Sequence, residues 1–486
     1  MTESRGTTSF AGALIGRSEP YETHADLLIL GGGSAGFAAA ITGARLGASV
    51  LMCEGGTLGG TCVNVGCVPS KTLMRAAEAY HRRSHHGYRG LPVDTGPPEW
   101  PELRTQKDEL VEALRQAKYR DVVRSHRAIE LIEQEASLTS ARSVRLADGR
   151  TCTGERVIIA TGASSWIPPI PGLADVGYLD HATAMALPQL PASMVVLGGG
   201  SAGLELGQMF ARLGVRVTVL EAGPRLLPAE EPAVGEGLAG YLRAEGLDIR
   251  TGVGVSRVAR GPRGLRVELA DGRGVAQADQ LLLATGRRAR TGNLGLERLG
   301  VTLGSRGEIA VGEYLETSVP GVYAAGDVIG DPMFVYAAAY AGALAAENAL
   351  RGHVRPYDIG SLPRVTFTDP AVACVGPAEQ ACRGLGVHPI RASLEMRHVP
   401  RAIVTHDTRG SVTLLADPRT RKVLGAHILA SGAEDMITEV TMALRYGLTV
   451  EEIAGTFHPY LTWSEALKMT AQAFDRDVVT LSCCAP

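Results

Sequence analysis

Cys62 and Cys67, in GGTCVNVGCVPSK (59–71), are the side chains of this sequence best suited to redox chemistry. They fall where a helix containing Lys71 to Tyr80 should begin, so the positive end of its dipole favours thiolate at both, and with it nucleophilic and metal-binding character. A structural disulfide or half of a zinc site is the alternative, but no second Cys pair or Cys/His pair nearby would complete four ligands. A further pair, Cys483 and Cys484, is adjacent in the terminal LSCCAP. Neighbouring cysteines close a disulfide only through a strained ring, whereas as a dithiol they can clamp and hand on a soft, thiophilic cation. Accidental thiols or a regulatory redox pair are the alternatives there. Cys53, Cys152, Cys374 and Cys382 have no partner at metal-ligand spacing and read as core or surface thiols.

A redox dithiol needs an electron source, and the sequence offers two nucleotide sites. LLILGGGSAGFAAAITGARLGASVLMCE returns as MVVLGGGSAGLELGQMFARLGVRVTVLE, and Gly31 to Gly198 and Glu54 to Glu221 are both steps of 167 residues. Each copy reads as an apolar strand, a Gly-rich turn, an Ala/Leu-rich helix and a β-branched strand ending in an acid, the opening of a dinucleotide-binding βαβ unit. Gly31, Gly33 and Gly36 supply the tight turn, room for backbone to approach a pyrophosphate, and close helix packing, while Glu54 can accept from ribose hydroxyls. Gly198, Gly200, Gly203 and Glu221 repeat the set. A lone GxGxxG could be a structural turn; strand context plus an acid 23 residues on makes it a binding site. Glu221 would repel a 2′-phosphate, which favours NADH over NADPH, although Arg225 could reach a phosphate if it is not simply a solvated loop arginine.

The elements that must position these residues fit a large α/β protein. A length of 486 residues suggests about three domains. Forty-eight Lys and Arg against 51 Asp and Glu leave a formal charge of −3, so no net positive field recruits nucleic acid or an anionic membrane. The longest uncharged apolar-rich stretch, Met333 to Ala346, falls short of the roughly 18 residues of a membrane span. Eight cysteines are too few for a disulfide scaffold and point to a reducing cytoplasm. Glycine, 60 residues or about 12%, is well above the usual share of about 7%.

Strand signals recur at 155–163, 280–288 and 321–330, the first two stopped by Ala-Thr-Gly, as at domain crossings. Residues 100–127 read as one surface-spanning helix with Leu103, Leu110, Val111 and Leu114 near helical spacing. Pro-rich punctuation and the strands SVTLLAD and KVLGAHIL set off a last domain without a nucleotide fingerprint. The divisions are a leading tail 1–24, a first nucleotide unit 25–165, a second 166–286, a return to the first 287–356, a C-terminal domain 357–478 and a tail 479–486.

Together these motifs resemble the pyridine nucleotide–disulfide oxidoreductases: the Cys-x4-Cys block with its following Pro-Ser-Lys, the two ATG stops and the AAGD that ends at Asp327. The resemblance covers nearly the whole chain after the N-terminal tail. It implies two Rossmann-like dinucleotide-binding domains, for FAD and NAD(P)H, and a C-terminal α+β dimerisation domain. FAD would lie against the first fingerprint with Gly60, Thr61, Thr161, Gly162, Asp327 and Val335, and NAD(P)H against the second with Gly286. Lys71 would stand near the flavin N5, paired with Glu205. Cys62 would be the interchange thiol and Cys67 the thiolate in contact with flavin.

Disulfide reductases of that family use a C-terminal His, oriented by a Glu five residues on, to protonate the departing thiolate. Here the position five before Glu465 is Tyr460, a phenol with an ordinary pKa of about 10. His458 could take the role only if the register slipped. With Tyr460, the inner dithiol and the terminal Cys pair, the chain is similar to the Hg(II)-reducing branch of the family. That similarity implies a homodimer with shared sites, in which Cys483 and Cys484 of one subunit take Hg(II) from solvent thiols and pass it to Cys62 and Cys67 of the other for reduction to Hg(0). Tyr460 and, in an AKY triplet, Tyr119 would assist at the metal, although Tyr119 could instead be helix packing. The GMTCxxC domain that precedes many members is expected to be missing, since the first cysteine is Cys53. The competing readings are a disulfide reductase such as dihydrolipoyl dehydrogenase, and a metal-sequestering thiol protein with a vestigial flavin.

Overall fold

The computed structural model of the chain describes residues 23–91, 93, 96–262 and 264–477. Cys483 and Cys484 and the leading residues 1–22 lie outside the described residues. The first fingerprint folds as strand β1 (Thr23–Leu30), helix α1 (Ser34–Arg45) and strand β2 (Val50–Cys53). β1 thus takes in Thr23 and His24, which the expected tail of 1–24 had included. Leu27 to Leu30 are buried on both faces, as strands enclosed by helices in a parallel sheet must be.

Helices α2 (Gly60–Asn64), α3 (Cys67–Arg82), α4 (Trp100–Arg115) and α5 (Asp121–Ser125) follow, then strands β3 (Ile129–Ile132), β4 (Ala136–Ser140), β5 (Ser143–Leu146) and β6 (Thr151–Ile159). The sheet order is β3-β2-β1-β6-β5-β4, with β3, β2, β1 and β6 parallel. The single helix expected over 100–127 is interrupted: Gln116–Arg120 forms a π-helical turn between α4 and α5. Its buried side is also narrower than the apolar pattern suggests, with Val111 inside and Leu110 41% exposed.

The second fingerprint repeats the first in space. Strand β7 (Ser193–Leu197), helix α6 (Ser201–Arg212), β8 (Arg216–Glu221), helix α7 (Pro232–Ala244), β9 (Asp248–Thr251) and β10 (Gln280–Leu283) form a parallel sheet ordered β9-β8-β7-β10, the arrangement of β3-β2-β1-β6. The two ATG stops mark where the chain leaves and re-enters the first unit. Ala163–Ser165 and Arg287–Ala289 pair there as an antiparallel ribbon, and Thr161 Oγ1 donates to Arg290 O at 2.7 Å.

After the ribbon the chain completes the first sheet with β11 (Val322–Ala324), parallel to β6, and lays helix α8 (Val335–Arg351) on α1. Alanines dominate both helices, and a Cβ at Gly342 would stand 2.0 Å from Ala35 O, so only glycine allows this approach. Last comes an antiparallel sheet of β12 (Arg364–Thr366), β13 (Ala371–Val375), β14 (Ile390–Glu395), β15 (Ser411–Ala416) and β16 (Val423–Ala430), ordered β12-β13-β16-β15-β14. Helices α9 (Ala433–Tyr446), α10 (Val450–Gly455) and α11 (Glu465–Gln472) accompany it. One buried cluster, including Leu73, Trp100, Phe210, Leu238, Val372 and Leu429, runs through all three units and fixes their relative positions. Among the described residues no helix is long and apolar enough to cross a membrane.

Candidate active site

The first fingerprint makes a wall of backbone. Gly31 sits at φ +109°, a Cβ on Gly36 would lie 1.8 Å from Gly31 O, and a Cβ on Gly60 would lie 2.7 Å from Gly33 Cα. Such a surface exposes N–H groups at the start of α1 to anything lying on it, the geometry a pyrophosphate needs. Glu54 closes the turn: Gly32 N donates to Oε2 and Gly56 N to Oε1, each at 2.6 Å. Glu221 is held identically by Gly199 N and Gly223 N, again at 2.6 Å. Arg225 turns to its own loop, its Nη2 donating to Pro228 O at 3.1 Å.

Arg287, which the sequence did not single out, ties the first unit's loops together. Its guanidinium forms an ion pair with Asp327, donates to Ala163 O at 3.0 Å and reaches Thr61 Oγ1 at 3.5 Å, while its Nε is buried without a hydrogen-bond partner. Gly162 (φ +73°) and Gly286 (φ +113°) turn the two ATG stops, and Val335 opens α8. The glycine cradle and this orphaned donor beside Asp327 and Thr61 fit an extended, polar, phosphate-bearing group such as FAD.

The dithiol is arranged less symmetrically than expected. Only Cys67 begins α3 and feels that helix dipole; Cys62 sits one segment earlier, on the short α2. The two thiols are free and unequal. The Cys62 S–H donates to Cys67, which with the nearby Lys71 ammonium outweighs burial and brings the Cys67 thiol down to about 7. The same hydrogen bond, with burial, pushes Cys62 up. Lys71, one helical turn beyond Cys67, donates to Glu205 of α6 at 2.7 Å, joining the two nucleotide units at the dithiol.

Cys67 should therefore titrate near 7, below an ordinary thiol. Because the folded value is depressed, thiolate is present above pH 7 and is lost as the pH falls through it. Alkylation of Cys67 by iodoacetamide should show a midpoint near 7, and Cys62→Ala should move that midpoint up; an unchanged midpoint would mean that Cys62 is not the donor.

Tyr119 lies in the π-helical turn, a geometry frequent at functional sites. Its ring meets Phe37 edge-on at 4.8 Å and packs against Gly59, beside the dithiol loop. Burial raises its hydroxyl pKa, and the thiolate charges of Cys62 and Cys67 add to that while the Ser34 hydroxyl opposes it.

Tyr460 is carried by the C-terminal unit and is 56% exposed. Leu461 after it adopts φ +63°, and Glu465, first residue of α11, accepts from Leu461 N at 3.3 Å. His458 faces elsewhere. Its ring is buried, with Nε2 2.8 Å from Glu439 Oε1 and Nδ1 3.0 Å from Thr456 O, and the Glu439 contact raises its pKa.

Cys374 corrects the expectation that it has no partner. Its thiol, Glu230 and His427 come within 4.8 Å of one another, all buried, from β13, the β8–α7 loop and β16. Arg364 occupies both Glu230 oxygens, at 2.9 and 2.7 Å, so against the cost of burial the carboxyl is held down to about 2. The cluster therefore fastens the second nucleotide unit to the C-terminal sheet. Cys53, Cys152 and Cys382 are buried core thiols.

With two repeated nucleotide folds, a dithiol and a third α+β unit in place, the class follows. The pyridine nucleotide-disulphide oxidoreductase family matches residues 25–342 and its dimerisation domain matches 362–471; the chain belongs to this family. Membership implies FAD, NAD(P)H and assembly as a homodimer. Among its relatives, a mercuric reductase of Streptomyces lividans is 46% identical over 95% of this chain and 98% of its own, and one of Staphylococcus aureus is 42% identical over 95% and 84%. In structure it is similar to the HOCl-induced flavoprotein disulfide reductase RclA of Escherichia coli, solved as a Cu(II) complex, with a TM-score of 0.84, 30% identity and 93% of this chain covered against 99% of that one.

Proposed function

We propose that this chain is an NAD(P)H-dependent flavoprotein that reduces Hg(II) to Hg(0). The observation that carries the reading is the donor set: two free thiols, Cys62 and Cys67, with Lys71 one turn beyond the second, phenols at Tyr119 and Tyr460, and the one histidine near the end of the chain tied to Glu439 and Thr456. A disulfide reductase needs an acid for its leaving thiolate, whereas a metal held by thiolates needs none. The 39–46% identity to mercuric reductases over most of the chain supports the same substrate.

FAD, when bound, relays two electrons from NAD(P)H to the dithiol face, so that NAD(P)H and Hg(II) become NAD(P)⁺, a proton and Hg(0). Cys67, the thiol held near 7, attacks an incoming Hg(II)–bis(thiolate) complex and displaces one of its thiolates; that thiolate takes the Cys62 proton, and Cys62 then displaces the second to complete two-coordinate binding. Cys483 and Cys484 of a partner subunit deliver the metal by thiolate exchange, and Tyr119 and Tyr460 assist at the metal. Gly31, Gly33, Gly36, Glu54, Gly60, Thr61, Thr161, Gly162, Asp327 and Val335 hold the flavin. Gly198, Gly200, Gly203, Glu221 and Gly286 hold the nicotinamide dinucleotide. NADH is preferred, because Glu221 occupies the ribose end of β8 and Arg225 is turned to Pro228 O.

The test is oxidation of NADH and NADPH by the purified protein with Hg(II) in excess thiol, with volatile Hg(0) collected and oxidised glutathione and lipoamide as controls. His458→Gln should leave metal turnover nearly intact; were it the acid of a disulfide reductase, its loss would cost about 10²–10⁴-fold. Turnover of a disulfide without a metal response would overturn the reading.

A further inference from the structure

The segment between β12 and β13 belongs to the C-terminal unit, yet it reaches the Lys71–Glu205 pair. Phe367 N donates to Glu205 Oε1 at 2.9 Å, the oxygen that Lys71 leaves open, and Lys71 Nζ lies 4.7 Å from the centre of the Phe367 ring. The segment is itself fastened to α6: Ser201 Oγ and Thr366 Oγ1 are 2.6 Å apart, Gln208 exchanges hydrogen bonds with the Asp369 backbone at 2.7 and 2.8 Å, and Arg212 meets the Asp369 carboxylate at 3.0 Å. Glu205 is thus gripped by a main-chain donor that does not titrate. The ammonium rests on an aromatic face, which replaces water without removing the charge.

We propose that Phe367 is the positioning residue of the Lys71–Glu205 pair, its N–H fixing the carboxylate and its ring the ammonium, so that a residue of the dimerisation unit sets the charge presented to Cys67. This rests on the reading that Lys71 serves the dithiol and flavin. Lys71 is four residues from Cys67 on α3, close enough to favour the thiolate. The titratable groups facing Cys67 are Cys62, Lys71, Glu205, Tyr119 and Tyr336. Of these, Phe367 contacts Lys71 and Glu205.

The experiment follows alkylation of Cys67 against pH by mass spectrometry in the reduced protein, alongside flavin reduction by NADH in rapid mixing. Phe367→Leu keeps the N–H and loses the aromatic face. It should raise the Cys67 midpoint and slow alkylation at neutral pH about threefold, while Phe367→Tyr should restore the original profile. In a Lys71→Met background Phe367→Leu should add nothing. An effect that persists undiminished in that background, or that tyrosine fails to rescue, would overturn the proposal. A Lys71→Met protein with unaltered alkylation and flavin reduction would instead overturn the placement of Lys71, and the role of Phe367 with it.

Discussion

A Cys67→Ala protein is expected to lose Hg(II)-dependent oxidation of NAD(P)H almost completely while its flavin is still reduced by NADH. Removing a residue that only supports a metal ligand typically costs 10–100-fold, so removing a ligand that also starts thiolate exchange should cost about a thousandfold or more. Flavin reduction should survive because the groups on that side, Lys71 and Glu205, come from α3 and α6 and form their own ion pair. The long-wavelength absorbance expected of a thiolate against oxidised flavin, in protein whose dithiol is reduced, should vanish with Cys67 and persist in Cys62→Ala above the raised Cys67 midpoint, since Cys67 is the thiol held down and Cys62 the one held up. The double variant should be no worse in metal turnover than either single one, because the pair acts as a unit. Retention of metal turnover in Cys67→Ala would remove the inner dithiol from the mechanism.

The other large effect is expected at Gly36. A Cβ there would stand 1.8 Å from Gly31 O, and neither atom can move without opening the turn that makes the cradle. Overpacking typically costs 1–3 kcal/mol, and a backbone clash belongs at or above about 3 kcal/mol. Loss of bound FAD removes a further contribution, about 4 kcal/mol for a ligand present at a thousand times its dissociation constant. Gly36→Val should therefore be purified colourless and melt well below the parent. Gly203→Val, whose Cβ would stand 2.2 Å from Gly198 O, should stay yellow but lose NADH binding, which separates the two repeats. Gly240→Ala is the control: this helix position has nothing within 4 Å, and alanine there should stabilise by roughly 0.5–1 kcal/mol. Visible absorbance and thermal melts read all three; a yellow Gly36→Val would mean that FAD does not lie on this turn.

The sequence by itself determined the two nucleotide units, their matching glycines and acids, and the dithiol between them. These are local matters: each fingerprint lies within one short βαβ stretch, where spacing alone dictates which backbone N–H groups face a phosphate. The replacement of histidine by Tyr460 was legible for the same reason, as a fixed offset from Glu465. What the tertiary structure decided depends on residues far apart in the chain. The inequality of Cys62 and Cys67 arises because the Cys62 S–H donates to Cys67 and because the Lys71 ammonium, anchored by Glu205 134 residues away, stands near Cys67. The π-helical turn that carries Tyr119 leaves no mark in hydrophobic spacing, which cannot distinguish one extra residue in a helix. Glu439 of α9 holds the His458 ring, and Cys374, without a partner at metal-ligand spacing along the chain, has Glu230, His427 and Arg364 around it once β13, β16 and the β8–α7 loop come together. Charge, acidity and partnership are set by distances of a few ångströms, and across more than a hundred residues only the folded chain specifies those distances.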